Sequence, residues 1–138
     1  MKPEPVGPWV LDTDVCIEWL RRRKGIPERL RALSPADLAL TTMTEAELRF
    51  GALVSRDPAG NLEQVDSILE SGVALLPFDR VAARHHAELR MALRSETISE
   101  RDLVIASVAR ASGFAVATGN VKEFERVPGL TVARWLRS

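Results

Sequence analysis

The chain alternates short apolar runs with segments of helical periodicity, and this alternation limits the folds that it can adopt. Strands joined through helices need crossover connections, which predicts a mainly parallel sheet with helices on both faces. We therefore expect an α/β fold, a three-layer α/β/α sandwich with a mainly parallel central sheet, formed by a single domain over residues 1–138. The predicted strands are Trp9–Leu11, 38–42, 73–78, 114–118 and a last one near 130–135.

Helices are predicted between these strands wherever apolar residues recur at helical spacing or a capping signal stands at the start. Breaking residues such as Asp57, Gly72 and Gly113 separate the segments. The predicted helices are 15–20, 27–33, about 45–55, 62–69, a long one after Asp79, 102–111 and 122–126.

Charge and cysteine content narrow the function classes. Lys plus Arg and Asp plus Glu balance at 19 each, so any contact with nucleic acid must be local rather than the effect of a global positive field. The lone Cys16 excludes an internal disulfide, and the first ten residues lack the apolar stretch of a signal peptide. No apolar segment approaches the length that spans a bilayer, so we expect a cytoplasmic protein.

Polar side chains follow several predicted strands at the point where each strand ends. Asp12 follows the first, Thr44 and Glu47 follow the second, and Thr118 and Asn120 follow the fourth. Sites in parallel sheets lie at the carboxyl ends of the strands. These residues are therefore expected at one edge of the sheet.

Three acids form the candidate centre: Asp12, Glu47 and Asp102, which begins a nearly all-apolar helix. Converging carboxylates repel one another, and the usual solution is a hard divalent cation with oxygen ligands. Mg²⁺, with Mn²⁺ able to substitute, is the predicted cofactor. The single cysteine and the two histidines form no recognisable zinc ligand set. Hydrolysis of a phosphodiester suits such a site.

Capping is the structural alternative for the acids. Thr44 with Glu47, and Ser99 with Asp102, both have the capping-box spacing of a hydroxyl residue followed by an acid three positions later. Asp14 is interpreted as the N-cap of the first helix rather than as a ligand. Capping and metal binding are not mutually exclusive.

Basic residues offer weaker signals. The run 21–24 could bind phosphate, but it also lies at the end of the first helix, where cations interact favourably with the helix dipole, and we favour its interpretation as a solvated face. Arg49 and Arg56 lie near the Glu47 helix and are candidates for contact with RNA or an acidic protein segment.

Five segments of the chain resemble, in order and spacing, the successive blocks of the PIN-domain ribonucleases, particularly the VapC-type toxins of bacterial toxin–antitoxin pairs. The segments are VLDTDVCIEWLRRR, TTMTEAELRFGALVS, LPFDRVAARHHAELR, ISERDLVIASVAR and VATGNVKEFERVPGL. The resemblance implies a PIN fold, Mg²⁺- or Mn²⁺-dependent endonuclease action on RNA, a homodimer, and inhibition by a cognate VapB-like antitoxin.

The same resemblance assigns roles to individual residues. Asp12, Glu47 and Asp102 match the family's acids, and Thr118 and Asn120 match its late threonine and polar position.

Two positions depart from the pattern that many relatives show. Asp14 stands where those relatives have asparagine, and Asn120 stands where they have aspartate, with Glu123 one helical turn further on. A fourth acidic or amide ligand is therefore either Asn120 or Glu123.

Two other functions remain open at the sequence level. Asp12 and Asp14 form a D-x-D like that of haloacid-dehalogenase-like phosphatases, although Cys16 stands where that class has threonine. A catalytically silent PIN module that acts only within an antitoxin complex is the other alternative.

Overall fold

A computed structural model describes residues 5–137 of the chain. Residues 1–4, which belong to the start predicted to lack a signal peptide, and residue 138 lie outside the described residues. No helix among the described residues is long and apolar enough to cross a membrane. The elements are β1 (Trp9–Leu11), α1 (Thr13–Leu20), α2 (Ile26–Arg31), β2 (Leu38–Thr41), α3 (Thr42–Leu53), α4 (Pro58–Leu69), β3 (Ala74–Leu76), α5 (Arg80–Ala92), α6 (Glu100–Ser112), β4 (Ala115–Thr118), α7 (Val121–Glu125) and β5 (Val132–Arg134).

The sheet has five strands in the order β3-β2-β1-β4-β5, and every neighbouring pair is parallel. Val10 of β1 pairs with Ala39 of β2 on one side and Val116 of β4 on the other. The predicted parallel α/β sandwich is therefore confirmed. Strands β2, β1 and β4 occupy the middle, so their carboxyl ends lie side by side.

Alternating side chains of the central strands feed two separate cores, as expected for a sheet covered on both faces. Leu11 packs into a core with side chains of α1, α2, α3 and α4, whereas Val10 packs into a second core with side chains of α5, α6 and α7. Strand β3 lies at the sheet edge and is largely exposed. The helical layers therefore comprise α1 to α4 on one face and α5 to α7 on the other.

Helix α3 begins earlier than the sequence pattern predicts. Its N-cap is Thr41, whose hydroxyl accepts a hydrogen bond from the backbone N–H of Thr44 at 3.1 Å. The predicted capping box of Thr44 with Glu47 is therefore wrong, because the helix already begins at Thr42. Thr41 both ends the strand and caps the helix, so no loop separates the two elements.

Helix α1 also differs from the prediction at its start. Asp12, rather than Asp14, is the N-cap, and its carboxylate accepts a hydrogen bond from Thr13 N at 2.8 Å. Asp14 lies inside the first helical turn, where an acid interacts favourably with the helix dipole. The N-cap interpretation of Asp14 is therefore wrong.

Candidate active site

The candidate site lies where the central strands end. Asp12 directly follows β1, Thr41 ends β2 and Thr118 ends β4, and all three side chains are buried. The backbone N–H of Asp12 donates to Ala117 O of β4 at 3.0 Å, so Asp12 is fixed by the sheet itself. Glu47 comes from α3 and Asp102 from the first turn of α6.

Asp12 is a buried acid with few compensating partners. Its side chain accepts hydrogen bonds from the Thr118 hydroxyl at 2.7 Å and from Thr13 N at 2.8 Å. Burial is the largest cause that raises its pKa to about 7, and the charges of Asp14 and Asp102 raise it further, while the two hydrogen bonds lower it. The fold thus holds a carboxylate in a position that favours its protonated form unless a cation is present.

Asp102 is the third residue of α6. The amino-terminal end of this helix is capped by two residues, Ser99 and Glu123. Ser99 is the N-cap, and its hydroxyl accepts from Asp102 N at 3.1 Å, which confirms the predicted cap. The reciprocal bond of a capping box would engage the Asp102 carboxylate with Ser99 N, but Ser99 N donates to Glu123 Oε1 at 3.1 Å instead. Glu123 therefore completes the cap and leaves the Asp102 carboxylate available.

Asp102 is also a destabilised acid. Its side chain is 9% exposed, and burial is the main cause that raises its pKa. Hydrogen bonding with Ser99 and the charge of Arg101 lower this pKa, whereas the charges of Glu123 and Glu47 raise it. Asp12, Asp102 and Glu47 are therefore close enough for their charges to interact.

Glu47 is held on both of its oxygens. Thr13 Oγ1 donates to Glu47 Oε1 at 2.7 Å, and Arg101 Nη1 donates to Glu47 Oε2 at 2.7 Å. The same guanidinium approaches Asp102, with Nε 3.9 Å from Oδ1. A protein cation thus lies between two of the predicted ligands.

A short chain of hydroxyls leads to Glu47. The single hydroxyl proton of Thr13 is donated to the Glu47 carboxylate. Thr44 Oγ1 must therefore be the donor in its 3.0 Å hydrogen bond with Thr13 Oγ1. Thr41 Oγ1 in turn donates to Thr44 Oγ1 at 3.4 Å. This chain of hydroxyls helps to orient the Glu47 carboxylate. Thr44 therefore acts on Glu47 through Thr13 and not as part of a capping box.

Asp14 ties α1 to the segment after β4. Its Oδ2 accepts from Gly119 N at 2.9 Å, whereas its Oδ1 is buried with no hydrogen-bond partner among the described residues. A Cβ at Gly119 would lie 2.9 Å from Asp14 Oδ2 and 2.9 Å from Leu136 Cβ, so only glycine fits. Burial raises the pKa of Asp14, and hydrogen bonding with the backbone of Gly119 and of Val15 lowers it.

Among the described residues, the side chains of the remaining predicted residues form no hydrogen bond or ion pair with Asp12, Glu47 or Asp102. Asn120 is the N-cap of α7, and its backbone N–H donates to Thr118 Oγ1 at 2.8 Å. Arg49 forms ion pairs with Glu45 and Asp66, both at 2.8 Å, and so connects α3 with α4. Arg56 is exposed in the turn between those helices.

The residues present suit a divalent cation, although they are not arranged as a finished cage. Within residues 5–137, no group of three or more His, Cys, Asp and Glu side chains is arranged as a metal cluster. Glu47 is engaged by Arg101, and Glu123 by Ser99 N. The fit rests on the chemistry of Asp12 and Asp102, because two buried carboxylates with raised pKa values gain from a shared cation.

The sequence interpretation missed two residues that contact Glu47. Thr13 is the middle residue of the D-T-D at the start of α1, and Arg101 directly precedes Asp102. A hydroxyl and a cation adjacent to predicted ligands were the available signals. Their contacts could not be inferred, because they join segments separated by 34 and 54 residues.

Comparison with known proteins gives consistent matches. The chain matches the PIN domain family model over residues 9–130. It is 32% identical over 132 residues to the tRNA(fMet)-specific endonuclease VapC of Salmonella typhimurium, covering 92% of this chain and 97% of that protein. The protein of the same name from Shigella flexneri is 30% identical over 129 residues with the same coverage. In the crystal structure of Rickettsia felis VapBC2 bound to a promoter DNA fragment, one chain matches with a TM-score of 0.85 and 28% identity, covering 93% of this chain and 98% of that one.

Sheet order, helical layers and the family match define a PIN domain, and the chain belongs to the PIN-domain family. Within that family, the relatives that it matches over nearly their whole length carry the name VapC and are called ribonucleases or endonucleases.

Proposed function

We propose that this protein is a metal-dependent endoribonuclease that hydrolyses RNA phosphodiester bonds as the toxin of a type II toxin–antitoxin pair. The observation that carries the proposal is the buried acid pair Asp12 and Asp102 at the carboxyl edge of a PIN-domain sheet. Relatives with that fold are named ribonucleases, and matching structures are VapBC complexes.

Asp12 and Asp102 are the proposed ligands of Mg²⁺, for which Mn²⁺ can substitute. When bound there, such a cation supplies positive charge to phosphate oxygens and makes a coordinated water more acidic. Thr118 and the backbone of Thr13 fix the two oxygens of Asp12, so this carboxylate needs little reorganisation to bind the cation. Asn120, through its backbone bond to Thr118, supports the same orientation.

Glu47 is the proposed third acid of the reaction. Thr13 and Arg101 orient its carboxylate beside Asp102. Glu47 can join the ligand set directly only if it leaves Arg101. While paired, it orients Arg101, whose exposed guanidinium is available to a phosphate of the substrate.

Cleavage of RNA by purified protein, freed from any antitoxin, tests this proposal. We expect cleavage with Mg²⁺ or Mn²⁺, abolition by EDTA, and recovery when excess metal is returned. The relatives named for tRNA(fMet) make that transfer RNA a suitable first substrate. Mapping of the RNA ends identifies the bond, and cleavage that persists in EDTA would disprove the metal mechanism.

The silent-module alternative predicts no cleavage of any RNA, with or without metal. Asp12 and Asp102 argue against it, because a module without catalysis gains nothing from two destabilised carboxylates. The phosphatase alternative requires both acids of the D-x-D to face the substrate. Asp14 is instead bonded through Oδ2 to Gly119 N, and its Oδ1 is buried.

A VapB-like antitoxin and a second copy of this chain are the proposed protein partners. Support for the antitoxin comes from the matching VapBC complexes. Support for a homodimer comes from large apolar side chains left exposed near the end of α3, where Phe50, Leu53 and Val54 are 66%, 60% and 67% exposed. Sedimentation of the wild type and of Phe50→Ser tests the dimer.

A further inference from the structure

A cavity of about 480 Å³ opens beside the proposed active site, on the side of α1 and the carboxy-terminal segment. We call it the basic cleft, and the residues that define it here are Arg21, Lys24, Arg137, Asp14, Glu18 and Asn120. Asp12, Glu47 and Asp102 do not line it, but it is bordered by two segments that also carry site residues, since Asp14 follows Asp12 by two residues and Asn120 follows Thr118 by two.

The charge of the cleft is positive. The charge of Glu18 is balanced by Arg23, whose guanidinium donates to both of its oxygens at 3.0 and 3.1 Å. Asp14 is engaged by Gly119 N. In the part of the chain that the structure describes, no carboxylate forms an ion pair with Arg21, Lys24 or Arg137. Their charges are therefore available to an anion.

The loop that carries Arg21 and Lys24 contains two residues in an unfavourable backbone conformation. After α1 ends at Leu20, Arg22 and Lys24 adopt left-handed conformations with φ of 54° and 58°. Such conformations cost residues other than glycine about 1–2 kcal/mol each. Glycine would relieve this cost at position 24, yet the chain places a lysine there, facing the basic cleft.

We propose that the basic cleft binds a backbone phosphate of the RNA substrate beside the scissile bond, with Lys24, Arg21 and Arg137 as the contacting cations. This inference rests on the proposed function. An RNA strand whose scissile phosphate faces Asp12 and Asp102 must continue past one side of the site. The cleft is a cationic surface on the two segments, α1 and the residues after β4, that adjoin Asp12 and Thr118.

A matched pair of variants in the same loop provides the test. Lys24→Gly and Arg22→Gly each remove one cation and relieve one left-handed residue, but only Lys24 lines the basic cleft. Both are made in an Asp12→Asn background, so that cleavage does not interfere. The binding of a fluorescein-labelled single-stranded RNA is then measured by anisotropy over a range of salt concentrations.

We expect Lys24→Gly to weaken binding about three- to tenfold at low salt and to reduce the salt slope by about 0.7, whereas Arg22→Gly leaves both nearly unchanged. Thermal stability should rise or stay the same in both variants, which excludes misfolding as the cause. Arg21→Gln and Arg137→Gln should act like Lys24→Gly.

Equal effects of Lys24→Gly and Arg22→Gly, or no effect of either, would overturn the proposal. It would also be overturned if RNA binding were unchanged while binding of an acidic partner protein weakened, since the cleft would then be a protein-docking site. If the wild type does not cleave RNA but the binding difference holds, the proposed function fails and the phosphate site stands.

Discussion

The acids of the candidate site form two regions that differ in burial and in their hydrogen-bond and ion-pair partners. One region comprises Asp12 and Asp102, and the other is Glu47. Asp12 and Asp102 are buried, and burial raises their pKa values by more than their hydrogen bonds, and in Asp102 the charge of Arg101, lower them. Glu47 is only partly buried, with its side chain 19% exposed, and both of its oxygens are engaged by Thr13 and Arg101. The role of each acid therefore depends on its burial and on its hydrogen-bond and ion-pair partners rather than on its position at the edge of the sheet.

The largest expected effect comes from the buried region. Asp12→Asn should lower single-turnover RNA cleavage about a thousandfold, or about 4 kcal/mol, because a neutral amide cannot balance the cation. Asparagine is as good an N-cap as aspartate, so α1 should remain folded. Glu63→Gln, at an exposed position of α4, removes the same charge and should cleave at the wild-type rate. Retained activity in Asp12→Asn would remove this residue from the site.

A smaller loss of cleavage is expected at Glu47, whose carboxylate is paired with Arg101. Glu47→Gln should reduce cleavage about a hundredfold, corresponding to about 2.7 kcal/mol, since Arg101 would lose its charged partner and Thr13 would keep an acceptor. The structure places Glu47 outside any capping box, so the free energy of unfolding should change little. A cleavage rate close to wild type in saturating Mn²⁺ would restrict the site to Asp12 and Asp102.

The two regions should also differ in their dependence on pH. The pKa of Asp12 is about 7 in the folded protein and about 3.9 in an unfolded chain. Between these values the folded state binds more protons, so in EDTA the free energy of unfolding should fall as pH rises from 5 to 8, by roughly 1–3 kcal/mol.

Asp12→Asn should flatten this decline, whereas Glu47→Gln should leave it in place. Thermal melts of the metal-free variants at each pH make the measurement. A wild-type melting temperature that stays constant or rises between pH 5 and 8 would show that ionisation of Asp12 does not destabilise the folded protein.

The smallest effect is expected at Glu123, which the sequence left as a possible fourth ligand. Its carboxylate accepts from Ser99 N, so its main role in the structure is to complete the cap of α6. Glu123→Gln keeps an acceptor and should cost less than about 1 kcal/mol of stability and change cleavage less than threefold. A loss of cleavage comparable to that of Asp12→Asn would instead make Glu123 a ligand.

The sequence predicted the sheet and its layers because apolar runs and helical periodicity follow from burial. It also predicted that Asp12 and Thr118 lie at the carboxyl ends of strands, at one edge of the sheet, but the adjacency of those two strands is a finding of the structure. Helix starts were less predictable, since Thr41 could serve as strand end and N-cap together, and Asp12 as N-cap and candidate ligand together. These local choices depend on tertiary placement of the strand ends.

Contacts between segments that lie far apart in the sequence could not be predicted from local patterns. Nothing in the local sequence indicates that Arg101 pairs with Glu47 or that Glu123 caps α6. The capping interpretation of Glu47 failed because α3 already begins at Thr42 with Thr41 as its N-cap, whereas the cap by Ser99 was confirmed.

Binding of Mn²⁺ to the purified protein, followed by electron paramagnetic resonance, tests whether Asp12 and Asp102 hold the cation, and it requires no RNA. We expect that wild type and Glu63→Gln bind Mn²⁺, that Asp12→Asn and Asp102→Asn bind it at least tenfold more weakly, and that Glu47→Gln is intermediate. Equal Mn²⁺ affinity in wild type and Asp12→Asn, or no binding by the wild type, would contradict this expectation.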